Sequence, residues 1–294
     1  MSSSSSCTST RDEVPRVACV RPVNVRRSGW RRVLSIIALG LSGASALRAQ
    51  TDYYNTSPGR PVRLEDAVPV EYRAVELNVA PVRLDFLSQD TRFWSLHPEA
   101  SLGILPRTQL QLVLPIAYVD APATSTRGVA GLEVSFLHAL NMETSIPALA
   151  VGGGISLPVG PLGGEATYGT VKGIVTRTYP WARLHANAQF TAGPSTRSDD
   201  LDTSIEQDAR DASRWLAGVA IDKTFALHSL LVTAETFAEQ PLRDDSSVAW
   251  SAATGVRYQL SPRWAMDAGV GRRFTGDDRA WYVTFGSAYA LGIR

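Results

Sequence analysis

The chain has 294 residues, 29 of them Lys or Arg and 28 Asp or Glu, with 44% hydrophobic side chains. By bulk numbers it looks like an ordinary soluble protein of one or two domains. Those numbers do not exclude a membrane location, because a transmembrane barrel alternates lipid-facing apolar residues with lumen-facing polar ones and averages to similar values.

The first strong signal lies near the N-terminus. Arg26, Arg27, Arg31 and Arg32 precede an apolar stretch from Val33 to Ala46, followed by Leu47-Arg48-Ala49-Gln50. A basic region, a short apolar region and small residues before a cut predict a signal peptide over residues 1–49, cleaved after Ala49, with Ala46 as a second option. The apolar stretch is shorter than the roughly 20 residues a helical anchor needs. Residues 1–25 make the basic region unusually long, and a start near Val25 would give a leader of ordinary length. Both cysteines, Cys7 and Cys19, precede the cut, so the exported chain has no disulfide or thiolate chemistry. The same cut removes eight arginines and two acids, leaving 21 basic and 26 acidic side chains. The remaining basic residues are dispersed, which argues against a nucleic-acid partner.

Residues 50–72 contain Ser57-Pro58-Gly59-Arg60-Pro61 and Arg63-Leu64-Glu65-Asp66-Ala67. Their prolines and polarity predict a periplasmic lead-in with one short helical turn, not a spanning strand. From residue 73 to 294 the dominant period is two, with no stretch carrying apolar residues at i, i+3, i+4 and i+7. In the clearest strand Ala182, Leu184, Ala186, Ala188 and Phe190 fall on one face and Arg183, His185, Asn187 and Gln189 on the other. Candidate strands fall near 73–86, 93–105, 108–119, 128–140, 145–158, 168–179, 181–192, 214–225, 229–239, 248–260, 264–274 and 280–291.

The connections alternate between tight and long. Tight turns are expected at Pro106-Arg107, Asn141–Thr144, Pro180, Ala226–His228 and Ser261-Pro262-Arg263. Long loops are expected at 87–92, 120–127, 159–167, 193–213, 240–247 and 275–279. Aromatic residues near predicted strand ends, namely Trp94, Tyr118, Tyr168, Tyr179, Trp181, Trp215, Trp250, Trp264, Trp281 and Tyr289, are placed as an interfacial girdle. Together these features predict an all-β fold, an antiparallel up-and-down transmembrane β-barrel of about twelve strands in the bacterial outer membrane. A soluble secreted β-sandwich is the competing architecture. The spacing Thr284-x-Gly286-x-x-Tyr289-x-Leu291 resembles the C-terminal signal read by the barrel-assembly machinery, which makes that machinery an expected partner beside outer-membrane lipid and lipopolysaccharide.

The sequence also resembles a known family, the outer-membrane barrels grouped under the meta-pathway of phenol degradation. The resemblance rests on Gly59-Arg60-Pro61-Val62-Arg63-Leu64-Glu65-Asp66-Ala67, on Gly103-Ile104-Leu105-Pro106-Arg107-Thr108-Gln109-Leu110, and on the C-terminal run. That run spans Gly255-Val256-Arg257-Tyr258-Gln259-Leu260-Ser261-Pro262-Arg263-Trp264 and continues from Asp267 through Asp278 to Trp281. It implies a role in uptake of small aromatic compounds. It carries over no functional residues, because these are structural motifs.

No cofactor or metal is expected. His97, His138, His185 and His228 show no metal-ligand spacing, and the glycines at 152–154, 160, 163 and 164 lack the Gly-Lys-Ser/Thr of a phosphate loop. His185 with Asn187 and a serine would be the only hydrolase set to imagine. Asp199, Asp200, Asp202, Glu206, Asp208 and Asp211 lack the glycine and terminal glutamate of a calcium loop and read as a solvated loop. Strand parity points Glu76, Glu133, Arg183, His185, Glu235, Arg257 and Asp267 inward as candidate lumen-lining residues. Charges inside a barrel must be paired or hydrated, so they either fill a closed interior or line a water path. Twelve strands lie between the filled eight-strand barrel and the open sixteen-strand channel, and predict a largely filled interior with a narrow path. The function expected is a passive channel for small solutes, apolar or aromatic ones included. A non-transporting structural or adhesive barrel is the alternative.

Overall fold

The computed structural model describes residues 55–58, 60–86, 92–121, 124–195, 212–243, 246–276 and 279–292. The expected signal peptide and the acidic stretch 199–211 lie outside these residues.

Period-two segments become strands in chain order. They are β1 (Ala74–Phe86), β2 (Arg92–Leu96), β3 (Glu99–Leu105), β4 (Thr108–Val113) and β5 (Ile116–Ala121). There follow β6 (Thr124–Val129), β7 (Leu132–Ala139), β8 (Ala148–Leu157), β9 (Tyr168–Thr178) and β10 (Arg183–Ala192). The last are β11 (Ser213–Phe225), β12 (Leu230–Pro241), β13 (Ala249–Ser261), β14 (Trp264–Arg273) and β15 (Ala280–Gly292). Every pairing is antiparallel, and the sheet closes because β15 pairs with β1, from Ala74↔Gly292 to Phe86↔Trp281.

Three spanning strands are each broken once, so the fifteen segments form a twelve-strand barrel. The breaks fall at His97-Pro98 between β2 and β3, at Leu114-Pro115 between β4 and β5, and at Ala130-Gly131 between β6 and β7. Proline has no N–H for the ladder, and Gly131 takes φ 129°, which a side chain would resist. The breaks line up across neighbouring strands. The Leu114 N–H donates to the Pro98 carbonyl at 3.0 Å, and the Ala130 N–H to the Pro115 carbonyl at 2.8 Å.

The wall has two different faces. Outward residues form an apolar belt in which Val79, Val171, Val219 and Phe285 are each more than half exposed. Such a surface is unfavourable in water and is what a barrel presents to lipid. Trp94, Tyr118, Trp250 and Trp281 lie on it near the rim of long connections, and Tyr179, Trp181, Trp264 and Tyr289 near the rim of short turns. Tyr168 departs from the expected girdle. It opens β9 on the inward parity and is buried at 4% exposure.

Two connections also differ from expectation. The β5–β6 hairpin continues through Asp120↔Ser125 and Ala121↔Thr124, so most of the stretch expected as a loop at 120–127 is paired strand. The connection at 158–167 turns inward. Its Leu162 packs among Phe93, Ala117, Val119 and Ala130, and its N–H donates to the Val129 carbonyl at 2.9 Å, along the edge of β6 that no strand pairs.

Candidate functional site

The inner face of the wall is polar and largely buried, although among the described residues no strand lies inside the barrel. Residues 55–72 occupy that interior. Among the described residues this segment has no helical turn, and it does not hang below the barrel as the expected periplasmic lead-in. It runs round the inner wall, meeting β14, β12, β10, β9, β4 and β3 before the chain enters β1. It also closes on itself: the Thr56 N–H donates to Asp66 Oδ2 at 3.2 Å, and the Asp66 N–H to the Thr56 carbonyl at 3.4 Å.

Most inward charges identified from strand parity are engaged by this segment. Asp267 receives Arg60 Nε at 3.0 Å, and both side chains are fully buried. Arg60 also donates to Asn78 Oδ1. Arg257 has its Nε 3.6 Å from the same Asp267 carboxylate, and donates to the carbonyls of Asn55 and, at 2.8 Å, Arg60. Glu235 accepts the main-chain N–H groups of Arg63 and Leu64 at 2.8 and 2.7 Å.

Arg183 and His185 are brought together on β10. Arg183 donates to both Asp222 oxygens at 2.9 and 2.7 Å and lies 3.5 Å from Asp66 of the segment. His185 Nε2 is 2.9 Å from Asp222 Oδ2, and its Nδ1 is 3.0 Å from Thr176 Oγ1. A hydroxyl, an imidazole and a carboxylate in a row have the order of a hydrolytic set. Here the hydroxyl already accepts the Ala67 N–H at 2.9 Å, and all three side chains are buried, which leaves no space for a substrate carbonyl. Asn187, two residues further along β10 on the same face, donates to the Glu65 carbonyl at 2.8 Å and accepts the Glu65 N–H at 3.1 Å. It holds main chain and does not orient the histidine.

Glu76 is a further counter-charge near Arg60 and Arg257, whereas Glu133 lies apart from these clusters. Glu76 borders a cavity of about 40 Å³ with Glu99, Gln109, Arg257 and Asp66. Glu133 borders a larger cavity of about 240 Å³ between the segment and the wall. That cavity is bounded by Val62 and Leu64 of the segment, by Tyr168, Leu216 and Tyr282, and by the polar Ser156, Lys172, Gln189 and Thr191. His97 and Ser156 also line it, and His97 Nε2 and Ser156 Oγ are buried with no hydrogen-bond partner among the described residues. Buried polar atoms without partners favour a site that takes water or a polar ligand.

Sequence reading missed Asp222, Glu239, Asn78, Gln109, Thr176 and Thr284, all buried on the inner face. It also missed the segment that they hold. One signal was available. Gly103, Gly218, Gly255 and Gly269 sit at inward strand positions, and a Cβ there would come within 3.0 Å or less of Glu71, Leu64, Pro61 and Pro61 respectively. Side-chain-free positions along the inner wall mark where another piece of backbone passes.

A family model described as "Putative MetA-pathway of phenol degradation" matches residues 91–291. No curated protein is similar to the chain by sequence. Among solved structures, the "COG4313 outer membrane channel" from Pseudomonas putida F1 is 13% identical, with 83% of this chain and 100% of that one covered and a TM-score of 0.52. The "KdgM porin" is 11% identical over 73% of this chain and 98% of its own, at a TM-score of 0.44. The outer membrane phospholipase A of Escherichia coli is 10% identical over 75% and 91%, at 0.41. At such identities the likeness is one of fold.

Proposed function

Since this chain belongs to the family described under the MetA-pathway of phenol degradation, we propose that it is a passive channel of the bacterial outer membrane for small solutes, aromatic ones included. The observation that carries this reading is the 240 Å³ cavity, which joins apolar and aromatic surface to unpartnered polar atoms inside a wall whose outside suits lipid. A dry cavity of about 150 Å³ accommodates benzene, so the space suits a single substituted ring or a small polyol. Outer-membrane lipid and lipopolysaccharide are the surroundings this reading gives the apolar belt. The barrel-assembly machinery is the partner that inserts it.

The inner residues divide the work. Tyr168, Tyr282 and Leu216 offer flat apolar contact, while Gln189, Thr191, Ser156 and His97 replace part of a solute's hydration as it leaves water. No energy source is needed for movement down a gradient. The filled interior favours a second reading, a barrel that does not transport and serves structure or adhesion through its outer loops.

Proteoliposome swelling separates the two. Vesicles carrying the folded protein are expected to swell faster than protein-free vesicles in isosmotic arabinose or sodium benzoate. Equal rates for every solute tried would remove the channel reading and leave the non-transporting barrel.

A further inference from the structure

The wall contacts of residues 55–72 differ in kind from those of the strands. Beside the side-chain ion pairs of Arg60, Arg63, Glu65 and Asp66 with Asp267, Glu239, Lys172 and Arg183, a second set runs from wall side chains to segment main chain. Glu235 takes the N–H groups of Arg63 and Leu64, Asn187 takes the N–H and donates to the carbonyl of Glu65, and Thr176 takes the N–H of Ala67. Gln109 takes the N–H of Val70 at 2.8 Å, Thr284 donates to the Pro61 carbonyl at 2.8 Å, and Arg257 to that of Arg60. Such groups would recognise the main chain of an extended peptide, the ion pairs add a preference for its charged side chains, and the inward glycines give its backbone room.

The strand ladder does not run through this occupant. The ladder closes through β1 and β15, so departure of the segment would break no strand-to-strand hydrogen bond. Segment residues line both cavities, so departure would also join those spaces into one lumen. It is opposed by the apolar anchors Val62, Leu64 and Ala67, against Tyr282, Phe237 and Leu137 among others, and by the ion pairs of Arg60, Arg63, Glu65 and Asp66 with the wall.

We propose that the inner wall is a binding site for an extended peptide main chain, that residues 55–70 are its releasable occupant, and that their release opens the path. The last step rests on the channel reading above. The ligand class is a stretch of unpaired peptide backbone, here supplied by the chain itself.

Hydrogen exchange followed by mass spectrometry on the folded protein in detergent tests release. The amides of Arg63, Leu64, Glu65, Ala67 and Val70 are expected to exchange together, on the order of ten-fold or more faster than ladder amides of β11 and β12. Asn187→Ala should raise that rate further and leave the ladder unchanged. Exchange in step with the ladder, with Asn187→Ala moving both, would make the segment fixed core and overturn the proposal.

Opening is read in planar bilayers from the variant Ala67→Cys/Thr176→Cys, in a mature chain that has no other cysteine. Reduced protein is expected to show channel openings and oxidised protein to be silent. Equal conductance in both states would overturn the gating step. Silence in both states beside fast segment exchange would remove the channel reading and support the peptide site by itself.

Discussion

Replacing Asp267 with alanine is expected to destabilise the folded barrel by about 3–5 kcal/mol, the usual cost of removing one partner from a buried ion pair. Asp267 and Arg60 have no exposed side-chain surface, and Arg257 has 3%. Their arrangement is one carboxylate between two guanidinium groups. Without it, two buried cations face each other, hydrogen-bonded to neutral oxygens of Asn78 and of the Asn55 and Arg60 main chain, with the Glu76 and Glu99 carboxylates left as the nearby counter-charges.

Arg60→Met removes one cation and leaves Asp267 with Arg257, so it should cost less than Asp267→Ala. The double variant Arg60→Met/Asp267→Ala should recover part of the loss, because one cation sharing the remaining carboxylates is easier to bury than two. The readout is the urea midpoint at which the compact, fast-migrating band of unboiled protein disappears. A loss below about 1 kcal/mol for Asp267→Ala would mean that water reaches the cluster and that the segment does not seal it.

The second large effect is expected on the opposite face of the wall. Val219 sits at the middle of β11, 55% exposed, with Ala217 and Ile221 beside it on the same outward parity. In lipid, a lysine at the midplane of a barrel strand costs about 2–4 kcal/mol, so Val219→Lys should lower the urea midpoint in lipid vesicles by a corresponding amount. The same charge placed at Gln189, whose side chain borders the inner cavity, should cost much less. Exposed surface substitutions in water usually stay within about 0.5 kcal/mol. A neutral Val219→Lys would therefore place that face in water and return the fold to a soluble β-protein.

Strand number and closure were legible in the sequence because alternation is forced on every residue of a wall with lipid on one side and polar groups on the other. The twelve expected segments correspond to the twelve spanning strands, with ends shifted by a few residues. What the pattern hid were the breaks at Pro98, Pro115 and Gly131, since a ladder that re-forms on either side keeps the same alternation through the interruption.

The interior was legible only in part. Glu235, Arg257 and Asp267 were placed inward by parity, but parity says nothing of what lies opposite a charge. Residues 55–72 carry no period of their own, because they are held in part through main-chain groups that every residue possesses and in part through charges, Arg60, Arg63, Glu65 and Asp66, that meet the wall at irregular spacing. Asp222 was missed because Lys223 and Thr224 follow it and blur the alternation at that end of β11. Tyr168 was misplaced because nearness to a strand end says nothing about which face a ring occupies.

The most direct measurement of the whole account is heat-modifiability combined with membrane fractionation of the wild-type protein. A closed antiparallel barrel with a lipid-facing belt predicts that the mature chain is recovered in the outer-membrane fraction, and that unboiled protein migrates faster than boiled protein on a denaturing gel. A single band at one position whether boiled or not, recovered from the soluble fraction, would contradict the membrane barrel, and with it the channel and the plug.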